Sequence, residues 1–296
     1  MSLFKTPAWV DRHTYETSLF SDLSAAQIAD LQVRLSKFNS EEPEVSVVIP
    51  AWNEENNIYR SLSSLADSNT KFKVEIIVIN NNSTDNTQAV LDQLGVKSFL
   101  EPNQGTAYAR QLGLTKAKGK YHLCADSDTY YPASWIDLMV KPMMVEDNVV
   151  GVYGRYSFMP LPGSGRFPLR IYEMITSVLV RVRQRNREYM NVLGFNMGFI
   201  TEVGIANGGF SVEKTRKFDN RLGSEDFVDE AEDGRMAINL MKTGRLKLVT
   251  DPYARVFTSS RRLLAEGGIY TSLKNRIKLH SKRLREYSFN TTGSNS

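Results

Sequence analysis

The sequence predicts an α/β fold: a Rossmann-like, mostly parallel sheet flanked by helices, with an N-terminal helical extension before it and a basic C-terminal helix after it. Three observations lead there. Short β-rich runs alternate with stretches of helical spacing about every 25 residues between positions 45 and 125, the pattern of strand–helix–strand units packed on both faces of one sheet. The composition, 41% hydrophobic and 24% charged over 296 residues, supplies an ordinary globular core and excludes disordered, collagen-like and disulfide-stapled chains. The net charge of +4 is unevenly placed, since residues 235–296 hold 13 Lys and Arg against 3 Asp and Glu, leaving −6 on residues 1–234.

Residues 1–44 form the extension. Ser24 and Gln27 are spaced as a capping box, and Leu23, Ile28, Leu31, Leu35 and Phe38 share one helical face. The main domain spans 45–260, with strands expected at Val45–Ile49, Val74–Ile79, Val96–Leu100 and Tyr121–Ala125 and helices at about 55–67, 85–94 and 104–118. Right-handed crossovers then bring all the strand carboxyl ends to one edge, where ligands of open α/β sheets bind. Beyond about residue 145 the regularity breaks down. Strands are expected at Val149–Phe158 and Leu246–Thr250, helices at Arg170–Arg187 and Ala231–Lys242, and a loop at Pro160–Gly165. Residues 261–296 carry the basic helix, Ile269–Tyr287, and a frayed end.

The chemistry-bearing residues sit at strand ends. After the first strand, Pro50, Ala51, Trp52 and Glu54 offer a ring and a carboxylate suited to a base and a ribose; equally, Trp52 is a core or lid aromatic and Glu54 a helix cap. The run Asn80–Asp85 either caps the next helix or hydrogen-bonds a nucleobase edge, and the two roles are compatible. Asp126 and Asp128 leave a strand at i and i+2, where two hard carboxylates can turn towards one divalent cation, Mg²⁺ or Mn²⁺. Such a cation would neutralise a departing diphosphate. Seven acids lie between 219 and 233 against one Arg; of these, Glu232 and Asp233 open a helix, and a carboxylate there can act as general base.

Other chemistries are excluded. His13, His122 and His280 are too scattered for zinc, and Cys124 is the only cysteine. Neither a P-loop nor a dinucleotide-binding glycine fingerprint occurs. No stretch is long and apolar enough to span a bilayer, and no amino-terminal run reads as a secretion signal, so a cytoplasmic location is expected.

Taken in order, Val45–Glu55, Ile77–Asp85, Asn103–Gly113, Ala117–Tyr121, Asp126–Asp128, Gly194–Met197 and Glu232–Asp233 resemble the family 2 glycosyltransferases of GT-A fold, over roughly residues 44–260. The resemblance implies inverting, metal-dependent transfer of a sugar from a nucleotide diphosphate donor, a UDP-sugar, to an acceptor hydroxyl. On it, Pro50, Ala51, Trp52 and Glu54 line the nucleoside site, Asn80 and Asn81 face the base, and Arg110 lies near the donor. Asp126, Ser127 and Asp128 hold ribose and metal-bound diphosphate, Asp128 being the more direct ligand. Asp233 is the base, because the family's helix ends at a Gly eleven residues later, and Gly244 fits; Glu225 and Asp226 then become a loop or acceptor-side feature. Gly194, Asn196, Met197, Glu232, Arg261 and Arg262 are candidates for acceptor or diphosphate contacts.

Two departures stand out. Asn80 and Asn81 replace the usual Asp residues, and Thr258 stands where many members have His, which shifts metal binding onto the two aspartates and the diphosphate. The expected cofactor is Mn²⁺ or Mg²⁺, and the expected partners are a nucleotide-sugar donor and a sugar or lipid-linked acceptor of cell-surface polysaccharide or glycolipid assembly. The basic helix either rests on an anionic membrane, joined by Arg181–Arg187, or packs on the domain with a solvated face. No motif points to specific nucleic-acid binding. The competing readings are an inert nucleotide-sugar binding module, which would lack the acids present here, and a nucleotidyltransferase of related fold, which would need a glycine-rich loop after the first strand.

Overall fold

The computed structural model describes residues 5–17, 19–160, 165–211, 231–265, 267–272, 274, 275 and 278. Ten strands are described: β1 Val45–Ala51, β2 Val74–Asn80, β3 Ser98–Leu100, β4 Tyr121–Cys124, β5 Thr129–Tyr130, β6 Val149–Gly154, β7 Tyr156–Phe158, β8 Met197–Ile200, β9 Arg245–Val249 and β10 Val256–Thr258. The helices are α1 Ala8–Asp11, α2 Ala25–Ser36, α3 Ile58–Ala66, α4 Thr87–Leu94, α5 Thr106–Lys116, α6 Trp135–Val145, α7 Phe167–Arg183, α8 Thr201–Ala206, α9 Glu232–Met241 and α10 Arg261–Ala265.

Seven strands form the main sheet in the order β3-β2-β1-β4-β8-β6-β9. All neighbours are parallel except β8, which runs against both β4 and β6. Every residue of β1 and β2 is buried, as expected of central parallel strands covered on both faces, which read as continuous apolar runs and not as alternation. Pro50 is tolerated within β1 because β1 outruns its neighbour there: pairing with β4 ends at Val48↔Cys124, so no ladder bond to β4 is lost. A second sheet, in the order β5-β10-β7, lies beyond the ends of β4 and β6.

The parallel units and their helices lie where expected, and the expected strand 149–158 divides in two. Val149–Gly154 joins the main sheet and Tyr156–Phe158 the small one, with the chain switching sheets at Arg155. Neither α6 nor β8 is expected from the sequence. Pro142 stands inside α6 and removes one helical donor. Gly198 weakens the strand signal of β8, yet a side chain there would collide with Leu123 on β4. The expected basic helix 269–287 and the frayed end lie largely outside the described residues.

In the extension, the Ser24 hydroxyl accepts the Gln27 N–H at 3.3 Å, and the Gln27 side chain accepts the Ser24 N–H at 2.8 Å, completing the capping box. Leu23, Leu31, Leu35 and Phe38 join the same hydrophobic cluster as β1 and β2. The extension is therefore part of the main core. Replacing Ser24 with Ala is expected to destabilise the protein by about 1 kcal/mol, read as a lower urea midpoint at unchanged slope; an unaltered midpoint would remove the cap from the stability argument.

Candidate active site

The loops after β1 and β2 interlock. Asn53 and Asn82 have φ of 54° and 57°, a left-handed conformation that Asn tolerates better than most residues. The Asn53 N–H donates to Ser83 Oγ at 3.0 Å, its Oδ1 accepts the Thr84 N–H at 2.8 Å, and the Glu54 N–H donates to Thr87 Oγ1 at 2.8 Å. Asn80 Nδ2 donates to Gln88 and its Oδ1 accepts the Ser83 N–H. Asn81 Nδ2 donates to the carbonyls of Glu101 and Asn103, while its Oδ1 accepts the Gly105 N–H at 2.7 Å. Both amides thus brace the loops. Pro50 and Ala51 are buried in β1, and Trp52 is half-buried at its end.

Asp126 and Asp128 follow β4 at the same edge. The backbone of Asp126 is held on both sides: its N–H donates to Tyr131 Oη at 2.8 Å and its carbonyl accepts from Ser61 Oγ at 2.9 Å. Its Oδ1 accepts from Arg110 Nη2 at 2.7 Å. Burial pushes this carboxyl up to about 6, with Asp128 adding to the shift and Arg110 opposing it. Ser127 between them is buried. Asp128 Oδ2 accepts from Arg261 Nη2 at 3.0 Å, and the same nitrogen donates to Glu54 Oε1 at 2.8 Å. Glu54 is pushed up to about 7, chiefly by burial and further by Asp128, against the pull of Arg261. This edge carries more negative charge than its surroundings solvate, and one guanidinium already stands between two of its carboxylates.

Because β8 is antiparallel, its start lies beside the end of β4, at Cys124↔Met197. The segment leading into it meets α9. The Gly194 N–H donates to Asp233 Oδ2 at 2.9 Å and the Gly234 N–H to Oδ1 at 2.8 Å, so one backbone donor from the segment before β8 and one from the first turn of α9 aim this carboxylate. Glu232 is 5% exposed, with Oε1 3.5 Å from Arg110 Nε. Arg110, 3% exposed, therefore joins Asp126 to Glu232. A side chain at Gly194 would collide with that guanidinium, which is the steric reason for glycine there.

Asn196 and Met197 serve the fold. Asn196 is 1% exposed, its Oδ1 accepting from Trp135 Nε1 at 2.8 Å and its Nδ2 donating to the Arg155 carbonyl at 2.9 Å; Met197 belongs to the core cluster between β8 and α9. Thr258 is buried and bonds Thr129 across the small sheet at 2.9 Å. The side chain of Arg262, and Glu225 and Asp226, lie outside the described residues. The sequence reading does not include Tyr131, which holds both the Asp126 N–H and the Phe195 carbonyl; its only signal is its place three residues after Asp128.

A divalent cation fits this donor set. Among the described residues no three His, Cys, Asp or Glu side chains gather to hold a metal by themselves, but Asp126 and Asp128 each engage an arginine through one oxygen and retain the other. Hard carboxylate oxygens with positions left for phosphate suit Mn²⁺ or Mg²⁺. A cation held by Asp126 would need that carboxyl ionised, so Mn²⁺ affinity is expected to fall as pH drops through about 6. Calorimetric titration from pH 5 to 8 checks this, and a flat profile would contradict it.

A mostly parallel sheet with paired carboxylates at its carboxyl edge and a Glu-Asp pair facing them matches the GT-A fold expected from the sequence. The chain belongs to glycosyl transferase family 2, whose family model matches residues 46–205. Among curated relatives, an uncharacterised glycosyltransferase of Haemophilus influenzae is 30% identical over 128 residues, covering 41% of this chain and 50% of its own. Chondroitin synthase of Pasteurella multocida is 34% identical over 116 residues, covering 38% and 12%. The chain spans half or less of the length of these relatives. Two solved structures share the fold: a mannosyltransferase from Pyrobaculum calidifontis in complex with GDP-Man and Mn²⁺ (TM-score 0.53, 18% identity, 88% of this chain and 71% of that one), and glucosyl-3-phosphoglycerate synthase from Mycobacterium tuberculosis in complex with Mn²⁺, UDP-glucose and phosphoglyceric acid (TM-score 0.51, 17% identity, 90% and 84%).

Proposed function

We propose that this protein transfers a sugar from a nucleotide diphosphate donor, a UDP-sugar, to an acceptor hydroxyl with inversion at the anomeric carbon. The observation that carries the reading is Arg110, which ties the Asp126 carboxylate to the Glu232–Asp233 pair at one sheet edge. Trp52 offers a ring to the nucleoside, and Glu54 and Asp126 would hold the ribose hydroxyls. Asp128, with Asp126, would hold Mn²⁺ or Mg²⁺, which when bound supplies charge neutralisation to the diphosphate. Asp233, aimed by two backbone N–H groups, takes the proton of the acceptor hydroxyl as its oxygen attacks. Arg261, which bridges Glu54 and Asp128, would meet the diphosphate at the same edge.

The test is hydrolysis and transfer with a panel of UDP-, GDP- and dTDP-sugars in the presence of Mn²⁺ or Mg²⁺. Turnover of one UDP-sugar, abolished by chelation, supports the reading. Binding without turnover indicates an inert module, and release of pyrophosphate from a sugar phosphate and a nucleoside triphosphate indicates a nucleotidyltransferase.

The acceptor in this reading belongs to surface polysaccharide or glycolipid assembly, met by a cytoplasmic protein at the inner face of the membrane. Among the described residues no helix is long and apolar enough to cross a membrane. Helix α7, however, exposes Phe167, Ile171, Met174 and Val178 by 43–60% along one helical stripe, with Arg181 and Arg183 in its last turn, the make-up of an interfacial helix. Salt-sensitive flotation with anionic vesicles is expected, and Met174→Asp should weaken it; absence of flotation at low salt would sink the membrane contact.

A further inference from the structure

At the edge of the small sheet, Arg166 and Arg170 grip one carboxylate, Arg255 stands beside them at Ser157, and Arg155 lies near enough to Arg255 to repel it. Glu173, on α7 and 6% exposed, turns towards β7. Its Oε1 accepts the Phe158 N–H at 3.0 Å and Arg166 Nη2 at 2.8 Å; its Oε2 accepts the Ser157 hydroxyl at 3.1 Å and Arg170 Nη1 at 3.2 Å. Four donors saturate a carboxylate's lone pairs. Arg255 reaches the Ser157 hydroxyl at 3.4 Å instead, and Arg155, Arg166 and Arg170 all repel it. Among the described residues, the only ion pairs of these four arginines are those of Arg166 and Arg170 with Glu173.

Among the described residues, four positive charges stand with one negative, an excess of three. The Nε atoms of Arg166 and Arg170 are buried without a hydrogen-bond partner, although Arg166 is 95% buried, its guanidinium lying 5.0 Å from the Phe257 ring centre. Burial lowers the pKa of Arg255, and the three neighbouring guanidinium groups add to this against Glu173. Capping the free N–H of β7 requires one carboxylate and, for neutrality, one cation. The further arginines raise the electrostatic cost of folding, and a half-satisfied buried network is itself destabilising. Such an arrangement is complementary to an anion that brings its own charge and acceptor oxygens.

The strands bearing the cluster are anchored to the catalytic edge. The Arg155 carbonyl accepts from Asn196 Nδ2 and from the Val256 N–H; Asn196 lies two residues after Gly194, which holds Asp233. Ser259, just past β10, donates its N–H to the Asp128 carbonyl at 3.1 Å.

We propose that Arg155, Arg166, Arg170 and Arg255 form an oxyanion site that binds a phosphoryl group carried by the acceptor. A phosphate monoester brings a charge of about −1.5 to −2 and three strong acceptor oxygens, matched by planar guanidinium forks. Naming the ligand as the acceptor rests on the transferase reading; the anion site itself does not. The phosphoryl group belongs either to a soluble polyol or sugar phosphate or to a lipid headgroup.

The experiment uses the full chain without donor or metal. Glycerol phosphate is titrated by calorimetry, and vesicles of phosphatidylcholine with and without phosphatidic acid are tested by flotation. Binding of glycerol phosphate identifies a soluble ligand, and binding only of phosphatidic acid vesicles a lipid one. In either case Arg155→Gln and Arg255→Gln should each weaken it about tenfold or more, as expected for a lost charge-assisted hydrogen bond. Arg155→Gln is the control for folding, since that side chain makes no ion pair among the described residues. Binding of neither probe, or equal affinity in wild type and both folded variants, overturns the site. Phosphate binding without donor hydrolysis would fail the transferase reading alone; donor hydrolysis without arginine-dependent phosphate binding would fail this site alone.

Discussion

Asp233→Asn is expected to lower turnover by at least about 10²-fold while leaving UDP affinity within a few-fold of wild type. The amide cannot take a proton from the acceptor hydroxyl, and loss of a positioned general base removes typically 10²–10⁴ in rate. Orientation suffers as well. Both Asp233 oxygens accept backbone N–H groups, from Gly194 and Gly234, and an amide presents only one acceptor to those two donors. Donor binding should survive because the proposed nucleotide side lies on β1, β4 and their loops, with Arg110 and Glu232 between it and Asp233. Steady-state kcat with calorimetric UDP binding separates the two effects. Near-normal turnover with normal binding would eliminate Asp233 as the base.

Arg110→Met should have the largest effect on stability. The guanidinium is 3% exposed and stands between Asp126 and Glu232, so its removal leaves two carboxylates facing each other without a countercharge. Breaking a buried pair by deleting one partner costs about 3–5 kcal/mol, and the low end applies because the Asp126 side chain remains 31% exposed. The variant also loses the link between the end of β4 and α9, so activity should fall with stability. Urea unfolding within about 1 kcal/mol of wild type would show that Arg110 is dispensable to the edge, since an uncompensated buried charge costs more than that.

The parts of this fold that declare themselves in sequence are those whose signal is local. β1 and β2 are uninterrupted apolar runs because both faces are covered, and α2 announces its start through Ser24 and Gln27. α6 and β8 are silent for opposite reasons: Pro142 contradicts a helix that packing nevertheless enforces, and Gly198 is required by the close approach of Leu123, not by any strand preference. The same division holds at the site. Asp126, Asp128, Glu232 and Asp233 are legible as short motifs, and Arg110 is placed near the donor by the resemblance, whereas its pairing with Glu232, 122 residues away in the chain, shows only in the tertiary structure. The Asn80 and Asn81 amides are readable as hydrogen-bonding groups, but only the tertiary structure shows that loop backbone and Gln88 occupy them. The arginines about Glu173 are scattered from 155 to 255, and no spacing rule gathers them.

The bridge from Arg261 to Glu54 and Asp128 spans 207 and 133 residues of chain. On the ribosome this imposes an order of assembly. The parallel core from β1 to β4 is already contiguous when Asp128 emerges, but the countercharge for Glu54 and Asp128 is not synthesised until more than a hundred residues later. Contacts of such sequence separation close last and slowly, and chains emerging amino-terminus first fold their early segments before the rest arrives. The sheet edge at Glu54 and Asp128 therefore gains this countercharge only after β1 to β4 have emerged, from a residue outside the units that form the parallel core.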